Sequence, residues 1–190
     1  MSAAEYLPSS PESIRQLRDE LDAKGQRLVF TNGCFDLLHT GHVRYLAEAR
    51  ALGDALVIAL NSDSSVRALK GPNRPLNSEN DRAEVLAALR SVDAVVVFDD
   101  PRATGLIKAI RPHVYAKGGD YTIESLNPEE RAALAEAGTE IRILPLVAGK
   151  STTATLTKMQ LPAADSSEKP PLRLAVLGSG HGSNFEAILK

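Results

Sequence analysis

Residues 27–60 read RLVFTNGCFDLLHTGHVRYLAEARALGDALVIAL. An apolar run with β-branched content, RLVF, opens the stretch, and a second, ALVIAL, closes it. Between them a polar, glycine-containing turn leads into an amphipathic helical pattern at about 40–51. Strand, helix, strand is the unit from which α/β sheets are built. The rhythm continues downstream: DAVVVF, HVYA and EIRILPL are further short strands, separated by helical patterns at about 79–90, 102–110 and 128–137. A lead helix over 10–24 precedes them. Ser10 stands before Pro11 at its first position, Ile14, Leu17 and Leu21 recur at helical spacing, and Gly25 ends it. The expected fold is therefore α/β, a Rossmann-like, doubly wound, mainly parallel sheet of five strands.

In such sheets ligands bind beyond the carboxyl ends of the strands. Each of the five runs is followed there by a polar or glycine-rich continuation: TNGCFD, NSDSS, FDDP, KGGDY and VAGKSTT. Five such ends in register point to one site. Composition narrows what it can hold. The chain of 190 residues carries a net charge of -2, so no broad basic surface exists to bind nucleic acid or an anionic membrane. A phosphate ligand must be caught locally. Cys34 is the only cysteine, which excludes an intramolecular disulfide and a cysteine-built metal cluster. The N-terminus lacks the pattern of a secretory signal, and no apolar segment approaches the roughly 20 residues that span a bilayer. A cytoplasmic protein is expected.

The first strand end holds the most specific chemistry. His39 and His42 flank Gly41, and a spacing of three places them on one side of a helix start. Unpaired amides and a partial positive charge suit a phosphate there, and Gly41 removes a side chain that would hold the anion away. Two imidazoles can donate to oxygens whose charge is redistributed in phosphoryl-type transfer. Ser151, Thr152 and Thr153 offer hydroxyls and amides at a second helix start. Lys117, Gly118 and Asp120 follow the fourth strand. Lys70, Arg74 and Arg82 fall in and beside the glycine- and proline-containing stretch LKGPNRPLNSENDR, where cations can clamp a sugar phosphate. Asp63 either faces the same pocket or caps the following helix.

GCFDLLHTGHVRYL resembles the signature of the nucleotidyltransferase superfamily that carries an H-x-G-H motif. With RPLNSENDRAEVLAAL, VDAVVVF, RPHVYAKGGDY and GKSTT in the same order, residues 12–160 are similar to bacterial D-glycero-β-D-manno-heptose 1-phosphate adenylyltransferases. The resemblance implies a nucleotidyltransferase fold and transfer of AMP from ATP to a sugar 1-phosphate. In it His39, His42 and Lys70 act in catalysis. Asn32, Gly33, Phe35, Asp36, Gly41, Lys117, Gly118, Asp120, Ser151, Thr152 and Thr153 line the nucleotide, while Asp63, Arg74 and Arg82 meet the acceptor. Mg²⁺ is expected on the nucleotide phosphates, with no dedicated protein metal site. Homo-oligomerisation stays open.

Two rival functions remain on the residues alone: a cytidylyltransferase acting on glycerol 3-phosphate or a phosphorylated amino alcohol, and a non-catalytic nucleotide-binding regulatory module. A dinucleotide-binding oxidoreductase fits poorly, because TNGCFD is not a G-x-G-x-x-G turn. Residues 122–148, TIESLNPEERAALAEAGTEIRILPLVA, depart from the pattern of the resembled enzymes, and the sugar kinase domain that often precedes them is absent from the sequence. The transferase domain is expected over 1–161 and a proline-bounded linker over 162–171. The fragment 172–190 resembles the opening of phosphoribosylglycinamide formyltransferases through Gly180, Gly182, Ser183 and Asn184, with none of the formyl-transfer chemistry.

Overall fold

The computed structural model describes residues 5–6, 10–119 and 121–145. All belong to the first of two compact units, Met1–Leu156. The expected linker and tail, together with Asp120, Ser151, Thr152 and Thr153, lie outside the described residues.

Along the chain run β1 (Glu5–Tyr6), α1 (Pro11–Ala23), β2 (Leu28–Gly33), α2 (Thr40–Arg50), β3 (Ala55–Asn61), α3 (Asp63–Lys70), α4 (Glu79–Ala87), β4 (Ala94–Phe98), α5 (Thr104–Ile110), β5 (Val114–Gly118), α6 (Pro128–Ala137) and β6 (Glu140–Leu144). The sheet is parallel throughout, in the order β1-β4-β3-β2-β5-β6. Five of these strands are those read from the sequence. The sixth, the two-residue β1, pairs with β4 at the edge and is too short to leave a periodic signal.

Helix α3 was not among the expected helical patterns, because it is short and mostly polar. Its N-cap is Ser62, whose hydroxyl accepts the Ser65 amide at 3.2 Å. Asp63 is therefore the first helical residue and not the cap. Asn127 caps α6 in the same way, accepting the amides of Glu129 and Glu130.

Side chains alternate across each strand and so feed two apolar layers. Leu28, Phe30, Val57, Val96 and Tyr115 pack with Ile14 and Leu21 of α1, Ile107 and Ile110 of α5, and Leu134 of α6. Val29, Leu56, Ile58, Val95 and Val97 pack with Leu46 of α2 and Leu86 of α4. β3 is buried along its whole length, as expected of a strand covered on both faces. The turn from α2 into β3 is drawn tight at Gly53, where a Cβ would lie 2.7 Å from the Arg27 carbonyl oxygen. No helix among the described residues is long and apolar enough to cross a membrane.

From β2 the chain winds outward to β3 and β4, then returns to lay β5 on the other side of β2. The strand order thus reverses between β2 and β5, where a crevice opens beyond the strand ends. The β2–β5 pairing ends at Phe30 and Tyr115. Past it the two strands are joined by side chains.

Candidate active site

At this crevice lies a cavity of about 910 Å³, at the upper end of the range for small-molecule sites. It brings together most of the residues expected at a site. Asn32, Gly33, Phe35, Asp36, His39, Gly41 and His42 come from the β2–α2 segment, Lys70 and Arg74 from the end of α3 and the loop after it, and Lys117 and Gly118 from the end of β5.

His39 is the N-cap of α2. Its ring stacks on that of His42, with centroids 4.0 Å apart and planes inclined by 24°, and the Phe35 ring meets His42 edge-on at 5.5 Å. The His39 amide donates to Nδ1 of His42 at 3.4 Å. With Nδ1 accepting, the neutral imidazole carries its proton on Nε2, so His42 offers a donor. Burial, and secondarily the neighbouring His39, pushes the His42 imidazole down to about 4. It is a neutral donor at physiological pH, suited to stabilising developing negative charge. Nδ1 of His39 is buried without a partner among the described residues, a state that costs about 1–3 kcal/mol and calls for a ligand or water.

The helix start is held firmly. The Tyr45 hydroxyl donates to the Ala116 carbonyl at 3.0 Å and shares a hydrogen bond of 2.7 Å with Thr31 Oγ1, tying α2 to β5 and β2. The Tyr45 ring lies so close that a Cβ at Gly118 would be 3.0 Å from it. Phe35 adopts a φ of 44°, a left-handed conformation that costs a bulky residue energy and tends to persist at functional turns.

Positive charge converges on the cavity. Lys117 Nζ donates to Asn32 Oδ1 at 2.9 Å and to the Asn32 carbonyl at 3.3 Å, and lies 5.1 Å above the Tyr121 ring. Burial lowers the affinity of this amine for its proton. Lys70 and Arg74 also line the cavity. Asp36 is buried and fully occupied. Its carboxylate accepts from Arg74 Nε, from the Leu76 amide at 2.7 Å and from the Asn77 amide at 3.3 Å, and its carbonyl accepts from Asn77 Nδ2 at 2.9 Å. It pins the 74–77 loop, and through that loop it sets the position of Arg74.

Two expected acceptor contacts lie elsewhere. Arg82 and Asp63 are not on the cavity wall; they bind each other at 2.8 Å. The Arg82 guanidinium, 1% exposed, also donates to the carbonyls of Cys34, Asn61 and Asn77. With its donors spent on the protein, it is a strut between β2, β3 and the loop before α4. Conversely, Arg102, Tyr121, Glu124 and Glu130 also line the cavity and were not among the expected residues. Arg102 had a sequence signal in its place just after the strand end FDDP, and Tyr121 in its place at the end of KGGDY.

Fold and site together define a domain of the nucleotidyltransferase class: a reversal of strand order, a paired-histidine helix start and converging cations. The chain matches the cytidylyltransferase-like family over residues 30–162 and belongs to it. Among curated proteins it is 48% identical over 149 residues to the bifunctional protein HldE of Aliarcobacter butzleri, covering 78% of this chain and 30% of the relative. It is 53% identical over 138 residues to the bifunctional protein HldE of Pelobacter propionicus, covering 72% and 28%. The chain thus spans about 30% of the length of the curated relatives it matches. Among solved structures, the lipopolysaccharide core biosynthesis protein of Thermoplasma volcanium superposes with a TM-score of 0.54 at 27% identity, covering 65% of this chain and 98% of that one.

Proposed function

We propose that this domain transfers AMP from ATP to D-glycero-β-D-manno-heptose 1-phosphate, giving ADP-heptose and pyrophosphate. The observation that carries the reading is the stacked His39–His42 pair facing one cavity with Lys117, Lys70 and Arg74. The match to the bifunctional HldE proteins at 48% and 50% identity and to a lipopolysaccharide core biosynthesis protein supports it, with the resemblance of residues 12–160 to heptose 1-phosphate adenylyltransferases.

An oxygen of the acceptor phosphate attacks the α-phosphorus, and the bond from that phosphorus to the bridging oxygen of the β-phosphate breaks as pyrophosphate leaves. The acceptor needs no base, because a phosphate monoester is largely dianionic at neutral pH. His42 Nε2–H and the His39 ring donate to oxygens that gain charge in the transition state. Lys117 neutralises the phosphoryl oxygens at the β2–β5 crevice, and Lys70 and Arg74 hold the acceptor phosphate. Ser151, Thr152 and Thr153 take the β- and γ-phosphates in this reading.

The donor set fits a Mg²⁺ carried by phosphate oxygens and water. Among the described residues no group of three His, Cys, Asp or Glu is placed to hold a metal. Of the three cavity carboxylates, Asp36 is committed to its loop, Glu130 to the Ala103 amide, and Glu124 is exposed and hydrogen-bonded with Thr122. When bound, Mg²⁺ neutralises charge on the triphosphate. The proposed setting is cytoplasmic, and assembly into homo-oligomers is compatible with it.

A pyrophosphate-release assay crossing ATP and CTP with heptose 1-phosphate and glycerol 3-phosphate tests the proposal. Release only with ATP and heptose 1-phosphate is expected. Release with CTP and glycerol 3-phosphate would assign the rival acceptor chemistry, and nucleotide binding without release under any pairing would mark a regulatory module.

A further inference from the structure

Where the β2–β5 ladder ends, three side chains bridge the gap. The Tyr115 hydroxyl, on a residue with no exposed surface, donates to Asn32 Oδ1 at 2.7 Å. Lys117 Nζ donates to the same oxygen at 2.9 Å. Two donors converging on one atom of a carboxamide require that atom to be oxygen. The other end, Nδ2, is then fixed by exclusion. It has no hydrogen-bond partner among the described residues, and Asn32 lines the cavity.

The residue type sharpens the point. An ammonium and a phenol both donate here, so an aspartate at position 32 would satisfy them better by charge. Asparagine keeps the acceptor for those two donors, adds no negative charge and leaves an N–H donor toward the cavity. Tyr115 suits the task of holding it. Its ring stacks on Phe30 with centroids 6.3 Å apart, and burial pushes its phenol well above the usual range, so it stays a donor.

We infer that Asn32 Nδ2 is a binding contact to a non-bridging oxygen of the phosphoryl group held at the β2–β5 crevice, and that Tyr115 is a positioning residue which, together with Lys117, holds the carboxamide with that end facing the oxygen. The inference rests on the nucleotidyl-transfer reading and extends it to a tyrosine that sits inside the apolar core. It gives residue 32, expected to line the nucleotide, a directed side-chain donor.

The test combines two variants with the side-chain amide resonances of ¹⁵N-labelled protein titrated with ATP. In the wild type the Asn32 Nδ2 resonances shift with ATP together with those of His42. Asn32→Asp keeps the acceptor for Tyr115 and Lys117, so it folds with an unchanged melting profile, yet kcat falls about a hundredfold from loss of a donor and repulsion of phosphate. Tyr115→Phe keeps the ring and leaves Lys117 as the only donor on Asn32 Oδ1, so it lowers kcat about tenfold through looser positioning with the KM for ATP changed less than about threefold, and reduces the ATP-induced shift at Asn32. His42 shifting while Asn32 does not, or Asn32→Asp retaining activity within about threefold of the wild type, overturns the inference and leaves the nucleotidyl-transfer reading standing. If no cavity resonance responds to ATP, both fail.

Discussion

The two ends of the sheet each carry histidine, and they are built in opposite ways. At the amino-terminal edge, His113 Nδ1 accepts the Leu28 amide at 2.9 Å and its Nε2 meets Asp22 Oδ1 at 2.6 Å. Both nitrogens are spent, and the ring ties α1 to the strands. That hydrogen bond, ahead of the nearby Arg18, also holds the Asp22 carboxyl below its ordinary range. At the carboxyl edge, His39 leaves Nδ1 buried and unpartnered, and His42 keeps Nε2 uncommitted among the described residues. The same residue type is a strut where its hydrogen bonds close within the protein and a site where they remain open.

Arginine obeys the same rule within a single edge. Arg82 closes every interaction internally, whereas Arg74 has one buried partner and still lines the cavity. The sharpest challenge to the rule is Arg82→Ala. It leaves Asp63 and three carbonyls without their donor and should lower unfolding free energy by about 3 kcal/mol, read from denaturant melts. Wild-type stability in that variant would break the distinction.

Next in size is His42→Ala, which should slow pyrophosphate release about a hundredfold while ATP affinity changes much less. An unchanged rate removes His42 from the chemistry. His113→Ala, its counterpart at the far edge, should leave kcat within about twofold and cost about 1–2 kcal/mol of stability through the unpaired Leu28 amide. A large loss of activity with intact stability would make the two edges equivalent.

The last expected effect is on pH dependence. His42 is pushed down to about 4 in the fold from an ordinary value of 6.5. Over that window the unfolded chain binds a proton that the folded chain refuses. Stability is therefore full above 6.5 and falls as pH drops toward 4. In His42→Gln the acid slope over this window should be shallower; identical slopes would show that the imidazole is not held neutral.

Much of this organisation is legible in the sequence because the signals are local. The strands are short apolar runs, α6 matches its helical pattern at both ends, and TNGCFDLLHTGH places the histidines, the glycine and the turn within one segment. What escaped depends on residues distant in the chain. Asp36 is pinned by Arg74, Leu76 and Asn77, and Arg82 reaches back to Cys34 and Asn61. A charged residue in a loop-and-helix stretch does not reveal whether its partner is protein or ligand. Tyr115 reads as an ordinary core residue, since only its hydroxyl oxygen, aimed at Asn32, sets it apart. Glu124 and Glu130 of the cavity lining fall within the segment that departs from the resembled enzymes, and Tyr121 stands just before it at the end of RPHVYAKGGDY.

The central claim is that the cavity at the β2–β5 reversal joins a nucleotide to a sugar phosphate. Phosphorus NMR of ATP, Mg²⁺ and heptose 1-phosphate with catalytic protein follows the α-phosphorus directly. The account predicts that the ATP resonances give way to the paired signals of a diphosphate diester and to free pyrophosphate in equal amounts. ATP left intact, or converted to ADP and inorganic phosphate with the sugar phosphate unchanged, would contradict it.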